Sequence, residues 1–267
     1  MRIKRDGHIH TPYCPHGSKD SFKQYIERCI DEGFDTITFA EHAPLPPGFN
    51  DPVPAQDSAM PLSSLSSYIT AIETLKAEYR RDITILTGLE IDYIEGFEQE
   101  TKAFLDEIGP QLDDSILSVH FLQSKGSYFC LDFSPDSFAA LVTSTGSLQN
   151  TIDLYFNTLK SSIESELGPY KPKRLGHMTL IKKFQRRYGQ MDITEHARHI
   201  LEHVKHAGME LDYNGAGTAK PLCQEPYPPH DIALEAKKRG IPLVYGSDAH
   251  QEKELTQGLT ALYPLAH

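Results

Sequence analysis

The chemistry in this chain is concentrated in short polar clusters, each closing an apolar run. Asp6-Gly-His-Ile-His-Thr11 sets His8 and His10 two residues apart, so in an extended strand both imidazoles share one face and Ile9 takes the other. Two neutral imidazoles side by side are half of a metal site. The same residue types return at intervals: His16, Glu41-His42, Gly88-Leu-Glu90, Val119-His120, Gly176-His177 and Gly246-Ser-Asp248-Ala-His250. Imidazole and carboxylate donors together suit Zn, Fe or Mn, and the lack of thiolate ligands argues against a structural zinc site of the cysteine type.

Those clusters need elements to carry them. Alternation of apolar runs and amphipathic stripes predicts strands over 3–10, 36–40, 83–89, 115–119, 173–176, 209–213 and 242–245. Helices are expected over 21–32, 65–80, 97–108, 151–167, 194–207 and 231–239, with Gly33, Gly208 and Gly240 as stops. The Pro-rich stretch 43–61 and the stretch 121–148 are expected as long excursions, the first long enough to be functional. Repeated βα units imply a parallel sheet whose strand ends share one side, and a closed sheet of that kind carries its sites at the C-terminal ends. Six of the seven expected strands stop on a metal-type residue, and the other stops on Asn214.

Composition narrows the partners. A chain of 267 residues without a long linker is the size of one α/β barrel, so one domain over 1–267 is expected. With 37 acidic and 26 basic residues the net charge of -11 repels nucleic acid and anionic membrane at long range. Cys14, Cys29, Cys130 and Cys223 are far apart, which suits a reducing compartment. No apolar stretch approaches the roughly 20 residues of a membrane helix, and the opening Met-Arg-Ile-Lys-Arg-Asp has no apolar signal core. A cytoplasmic protein is the expectation.

The order His8-x-His10, His16, Glu41-His42, Glu90, His120, His177 and Asp248-x-His250 resembles the polymerase and histidinol phosphatase (PHP) superfamily over essentially the whole chain. The resemblance implies a distorted (β/α)7 barrel, akin to a TIM barrel, with three divalent ions. It implies that His8, His10, Glu90 and Asp248 hold one ion, that Glu90 bridges to a second held by His120 and His177, and that His16, His42 and His250 hold a third. Within the superfamily, Asp-Gly-His-Ile-His-Thr-Pro-Tyr-Cys-Pro-His-Gly, Phe39-Ala-Glu-His-Ala-Pro and Leu211-Asp-Tyr-Asn-Gly-Ala-Gly are similar to the bacterial histidinol-phosphate phosphatases. That likeness implies hydrolysis of L-histidinol phosphate to L-histidinol and phosphate in histidine biosynthesis.

A phosphate monoester is a dianion, so attack needs cations that neutralise its oxygens and acidify the attacking water. The expected course is in-line attack by metal-bound hydroxide, with Asp248 accepting a proton and His42 or His250 assisting the leaving group. Lys182, Arg186 and Arg187, in the run after His177, with Lys220, Ser18 and Asn214, are the candidate substrate contacts; a solvated surface is the plain alternative for the basic run. Glu41, Asp92 and Glu95 could receive a substrate amine or orient ligand histidines, and orientation is the expectation for Glu41. His196, His199, His203 and His206 line one helix face and are expected to be a solvated polar surface, because no carboxylate-rich loop converges on them. The alternatives are a phosphotyrosine phosphatase or nuclease of the same superfamily, an amidohydrolase-type barrel, and a non-catalytic metal-binding module. The acidic charge disfavours the nuclease, and the extra His16, His42 and His250 disfavour the amidohydrolase.

Overall fold

Seven parallel strands, neighbours in space in the order in which they follow along the chain, wrap around the residues singled out above. The computed structural model describes residues 4–189 and 191–266. In chain order the elements are β1 (Arg5–Ile9), α1 (Phe22–Asp31), β2 (Thr36–His42), α2 (Leu65–Tyr79), β3 (Thr84–Asp92), α3 (Glu98–Ile108), β4 (Ile116–Ser118), β5 (Phe121–Ser124) and β6 (Ser127–Cys130). There follow α4 (Pro135–Thr145), α5 (Leu148–Glu164), β7 (Arg174–Leu175), α6 (Gln185–Tyr188), α7 (Thr194–His206), β8 (Glu210–Asn214), α8 (Ala216–Ala219), α9 (His230–Lys238), β9 (Leu243–Gly246) and α10 (Leu259–Leu262). The start of the first expected strand, at Ile3, lies outside the described residues.

The sheet closes through the segment after β9. The Asp248 N–H donates to the His8 carbonyl at 2.8 Å, the His10 N–H donates to the Ala249 carbonyl at 3.0 Å, and Ile9 bridges Ala249 in parallel. A (β/α)7 barrel results, as expected. It is distorted: β7 has two residues, and β1 slips its register against β2 between Asp6 and Ile9.

Local rules explain most element ends. Ser21 caps α1 in a capping box with Gln24, and Gly33 at φ 74° turns the chain out of the helix. The apolar stripes of the long helices, among them Ile26 and Cys29, Leu65 and Ile72, Leu159 and Tyr155, Ile200 and Val204, are buried against Ile37, Phe39, Leu117, Leu175 and Leu211 of the strands. Below the site, Arg174 is 1% exposed; its Nη2 reaches both Asp114 carboxylate oxygens at 2.7 and 2.6 Å, and its Nη1 donates to the Gly7 carbonyl at 2.8 Å. Arg5 joins the same carboxylate, so β1 and β7 are tied at their N-terminal ends.

Both long excursions are structured. The stretch 121–148 contains the antiparallel hairpin β5-β6 and the helix α4. Residues 43–61 pack on that hairpin: the Phe49 ring lies 5.0 Å from both Phe121 and Tyr128, centroid to centroid. Among the described residues, no helix is long and apolar enough to cross a membrane.

Candidate metal centre

The C-terminal strand ends deliver nine side chains to one place. β1 brings His8 and His10, β2 brings His42, β3 brings Glu90, and the segments after β4, β7 and β9 bring His120, His177, Asp248 and His250; His16 comes from the loop after β1. Seven of the nine line a cavity of about 360 Å³, and His8 and His10 are fully buried behind them. Asp248 holds its place at φ 53°, a left-handed conformation uncommon outside glycine.

Three groups have donor atoms within 4.8 Å of one another: His8, His10 and Asp248; Glu90, His120 and His177; and His10, Cys14, His42 and His250. Glu90 joins the groups: Oε1 is 2.8 Å from His177 Nε2, and Oε2 is 3.4 Å from His8 Nε2, 3.5 Å from His10 Nε2 and 3.1 Å from His42 Nδ1. Cys14 stands in the third group where the resemblance implies His16. Burial and the Glu41 carboxylate push the Cys14 thiol pKa up, which disfavours the thiolate form. The His16 ring lies 5.1 Å from both His42 and His250, and its Nδ1 faces the Asp57 carbonyl at 2.8 Å.

A divalent ion fits this donor set. His8 Nε2, His10 Nε2 and His42 Nδ1 are buried without a hydrogen-bond partner, although each faces carboxylate oxygen at 3.1–3.5 Å. Nitrogens in that condition are costly unless a cation occupies the gap. Charge tells the same story. Burial opposes charge on His8, yet Asp212, Glu90 and Asp248 raise its pKa well above the ordinary value. Against the same opposition, Asp248 and Glu41 lift His10 to about 9, and Asp92 and Glu90 lift His120 to about 10. Despite burial, Glu90 and Asp248 are held well below the carboxylate range by the surrounding imidazoles. His42 and His250 go the other way, lowered by burial and by His10. With protein groups alone, protons on imidazoles supply the positive charge these carboxylates demand.

The opposite ring nitrogens are fixed by carboxylates. His8 Nδ1 meets Asp212 Oδ2 at 2.9 Å, His10 Nδ1 meets Glu41 Oε1 at 3.2 Å, and His120 Nδ1 meets Asp92 Oδ1 at 2.7 Å. Each carboxylate settles the tautomer and turns the other nitrogen toward the cluster. Glu41 is itself held by the Thr11 N–H at 2.9 Å, the Thr11 hydroxyl at 2.6 Å and the His42 N–H at 3.0 Å. Glu41 thus orients a histidine as expected, and Asp92, in the cavity wall, does the same for His120. Glu95 lies outside the cavity wall, and its carbonyl accepts from Tyr128.

The expected substrate contacts are dispersed. Of the six, Lys220 stands in the cavity wall. Lys182 is paired with Glu225, Arg187 pairs with exposed Asp136, Arg186 is exposed, and none of the three lines the cavity. The 3-10 turn over Leu180–Phe184 turns successive residues to different sides and presents Lys183 to the cavity instead. The Ser18 hydroxyl donates to Asp20 and its N–H to the His250 carbonyl. The Asn214 amide is likewise spent, donating to Asp212 at 3.0 Å and to Asp248 at 3.1 Å, so it positions carboxylates.

Four residues of the site escaped sequence reasoning. Asp6 accepts the N–H groups of His8 and Ser247 and is raised to about 7 by burial; its two-residue spacing from His8 was the available signal. Asp212 stands in the same relation to Asn214 on β8. Lys183 and Asp132 form a 2.8 Å ion pair in the cavity wall across 51 residues, which no local pattern announces.

Comparison with known proteins places the geometry. The PHP domain family pattern matches residues 6–216. The histidinol-phosphatase of Bacillus subtilis is 50% identical over 252 residues, covering 93% of this chain and 94% of that protein. A Listeria monocytogenes protein assigned as a histidinol phosphatase superposes with a TM-score of 0.92 at 38% identity, over 96% of this chain and 99% of that one. The histidinol phosphate phosphatase of Lactococcus lactis, solved with zinc, L-histidinol and phosphate, shares the fold at a TM-score of 0.69 and 19% identity, over 98% of this chain and 93% of that one.

Proposed function

The chain belongs to the PHP family, and from that premise we propose that it is a metal-dependent phosphomonoesterase that hydrolyses L-histidinol phosphate to L-histidinol and phosphate. The observation that carries this reading is the 50% identity to a histidinol-phosphatase over 94% of that enzyme's length. The convergence of nine imidazole and carboxylate side chains on one cavity supports it. Its partner is a small phosphorylated molecule, and the four unpaired, buried cysteines support a reducing, cytoplasmic setting.

Three ions are assigned as follows: one to His8, His10, Glu90 and Asp248, a second to Glu90, His120 and His177, and a third to His16, His42 and His250. Zn, Fe and Mn all suit these donors. When bound, the ions neutralise phosphate oxygens and lower the pKa of the attacking water. Glu41, Asp92 and Asp212 keep His10, His120 and His8 in the ligand tautomer. Asp248, steadied by Asn214, takes the proton of the water as its oxygen attacks phosphorus in line with the departing alkoxide. His42 or His250 returns a proton to that alkoxide, and Lys183 and Lys220 draw the dianion into the cavity. Water attacks phosphorus directly, with no phosphorylated residue.

The test is metal-reconstituted protein assayed against histidinol phosphate, p-nitrophenyl phosphate and a short oligonucleotide, in oxygen-18 water. Histidinol phosphate should be turned over with the highest kcat/KM, with one solvent oxygen entering each phosphate. Preference for the oligonucleotide, or a phosphorylated residue trapped on rapid quenching, would overturn the assignment. Failure on all three substrates while metal still raises the melting temperature would leave a non-catalytic metal module.

A further inference from the structure

A second nitrogen-rich cluster stands outside the barrel, on α7. His199 and His203 are four residues apart and so lie one above the other on a single helix face. Their Nε2 atoms are 3.1 Å apart and their ring centroids 4.6 Å apart. The sequence expectation of a plain solvated face rested on no carboxylate converging there, and the fold removes that reason. Glu164, the last residue of α5, brings Oε1 to 3.0 Å from His203 Nδ1, and Glu202 brings Oε2 to 3.8 Å from His199 Nδ1.

The geometry accommodates a cation between the two rings. A carboxylate that takes the Nδ1 proton leaves Nε2 with its lone pair outward. A metal ion between the two Nε2 atoms would use both lone pairs while each Nδ1 faces a carboxylate. Nitrogens bound to one ion at about 2.0–2.1 Å stand roughly 2.9–3.4 Å apart for angles between square and tetrahedral, and the observed separation falls inside that interval. The final turn of α7 adds the negative end of the helix dipole. Side-chain exposures of 59% for His199 and 21% for His203 leave room for water to complete the coordination sphere.

We propose that His199 and His203 form a second, peripheral site for a borderline divalent cation such as zinc, with Glu164 and Glu202 orienting the two imidazoles. The ion ties one turn of α7 together and, through Glu164, links it to the end of α5. None of the four residues belongs to the barrel centre, so this site fills and empties independently of it.

Zinc is the probe. Holoenzyme with its barrel sites already loaded with zinc is titrated with further zinc by calorimetry, beside His199→Gln, His203→Gln and Glu164→Gln. One additional equivalent with a micromolar dissociation constant is expected in the parent. Either histidine variant should weaken it by at least tenfold, and Glu164→Gln should weaken it by about tenfold, while kcat stays unchanged in all three. Added zinc should raise the melting temperature of the parent more than that of His203→Gln. Absence of the extra equivalent, or its persistence at unchanged affinity in both histidine variants, would overturn the proposal.

Discussion

Asp92 Oδ1 lies 2.7 Å from His120 Nδ1, while Glu90, two residues earlier on the same strand, lies 3.7 Å from His120 Nε2. One strand of period two therefore faces both nitrogens of one imidazole, with one carboxylate toward the cluster and the other holding the ring. Asp92→Ala removes the hold and keeps the ligand. Metal affinity should fall by about 10- to 100-fold, read as metal content after dialysis at defined free zinc. Activity should return at saturating metal. Unchanged metal content in the variant would remove Asp92 from the site.

Beneath the cavity, the Arg174–Asp114 pair should be a stability element. Asp114→Ala strands a guanidinium that is 1% exposed, and breaking a buried pair in this way costs about 3–5 kcal/mol. Urea denaturation reads the loss as a lower midpoint. Burial by itself would raise the Asp114 pKa, but Arg174 and Arg5 hold it below the ordinary aspartate value. The folded pKa is depressed, so this stabilisation is complete above the unfolded pKa and is lost as pH falls through the folded one. The gap between parent and variant should therefore be widest near neutrality and shrink in acid. A gap that stays constant into strong acid would show that the charge of Asp114 contributes nothing.

Much of this fold was legible because strand ends and chemistry coincide. His8, Glu90 and His120 mark the ends of β1, β3 and β4, and the helices between them carry strong apolar stripes. What escaped was of two kinds. α4 hid inside an expected excursion although Ser134, Pro135 and Gly146 form an ordinary start and stop around it; its buried face is only Phe138 and Leu141, too narrow a stripe to register as periodic. Asp132 and Lys183 meet only through tertiary structure, and the turn that selects Lys183 over Lys182 depends on how β7 ends. Asp6 and Asp212 were legible in principle, since each sits two residues from an inward-facing residue.

Gly246 tests how tightly the His8 support is packed. A Cβ at this position would lie 2.2 Å from Asp212 Oδ1 and 2.7 Å from the His8 Cβ, both in fully buried residues. Gly246→Ala must push the carboxylate away from His8 Nδ1 or move the strand. A loss of about 1–3 kcal/mol in urea unfolding is expected, together with reduced metal retention. Retention equal to the parent's would mean that Asp212 yields without disturbing His8.

Lys183 is the cation that the cavity keeps in reserve. Its ammonium is 2.8 Å from Asp132, in the cavity wall, and Asp132 holds its charge against burial mainly through Lys183. A dianionic phosphate entering the cavity competes with Asp132 for that ammonium, so Lys183 contributes to binding and Asp132 limits it. Lys183→Ala removes one charge-assisted hydrogen bond and leaves Asp132 bare, which should raise KM for a phosphomonoester about tenfold or more, with a smaller change in kcat. Adding Asp132→Asn to that variant removes the unpaired carboxylate and should recover part of the loss. Arg187→Ala, which disturbs only an exposed pair, should match the parent. Steady-state kinetics on the four proteins separates the roles: equal KM for parent and Lys183→Ala would exclude Lys183 from the phosphate, and a raised KM in Arg187→Ala would return the basic run to the site.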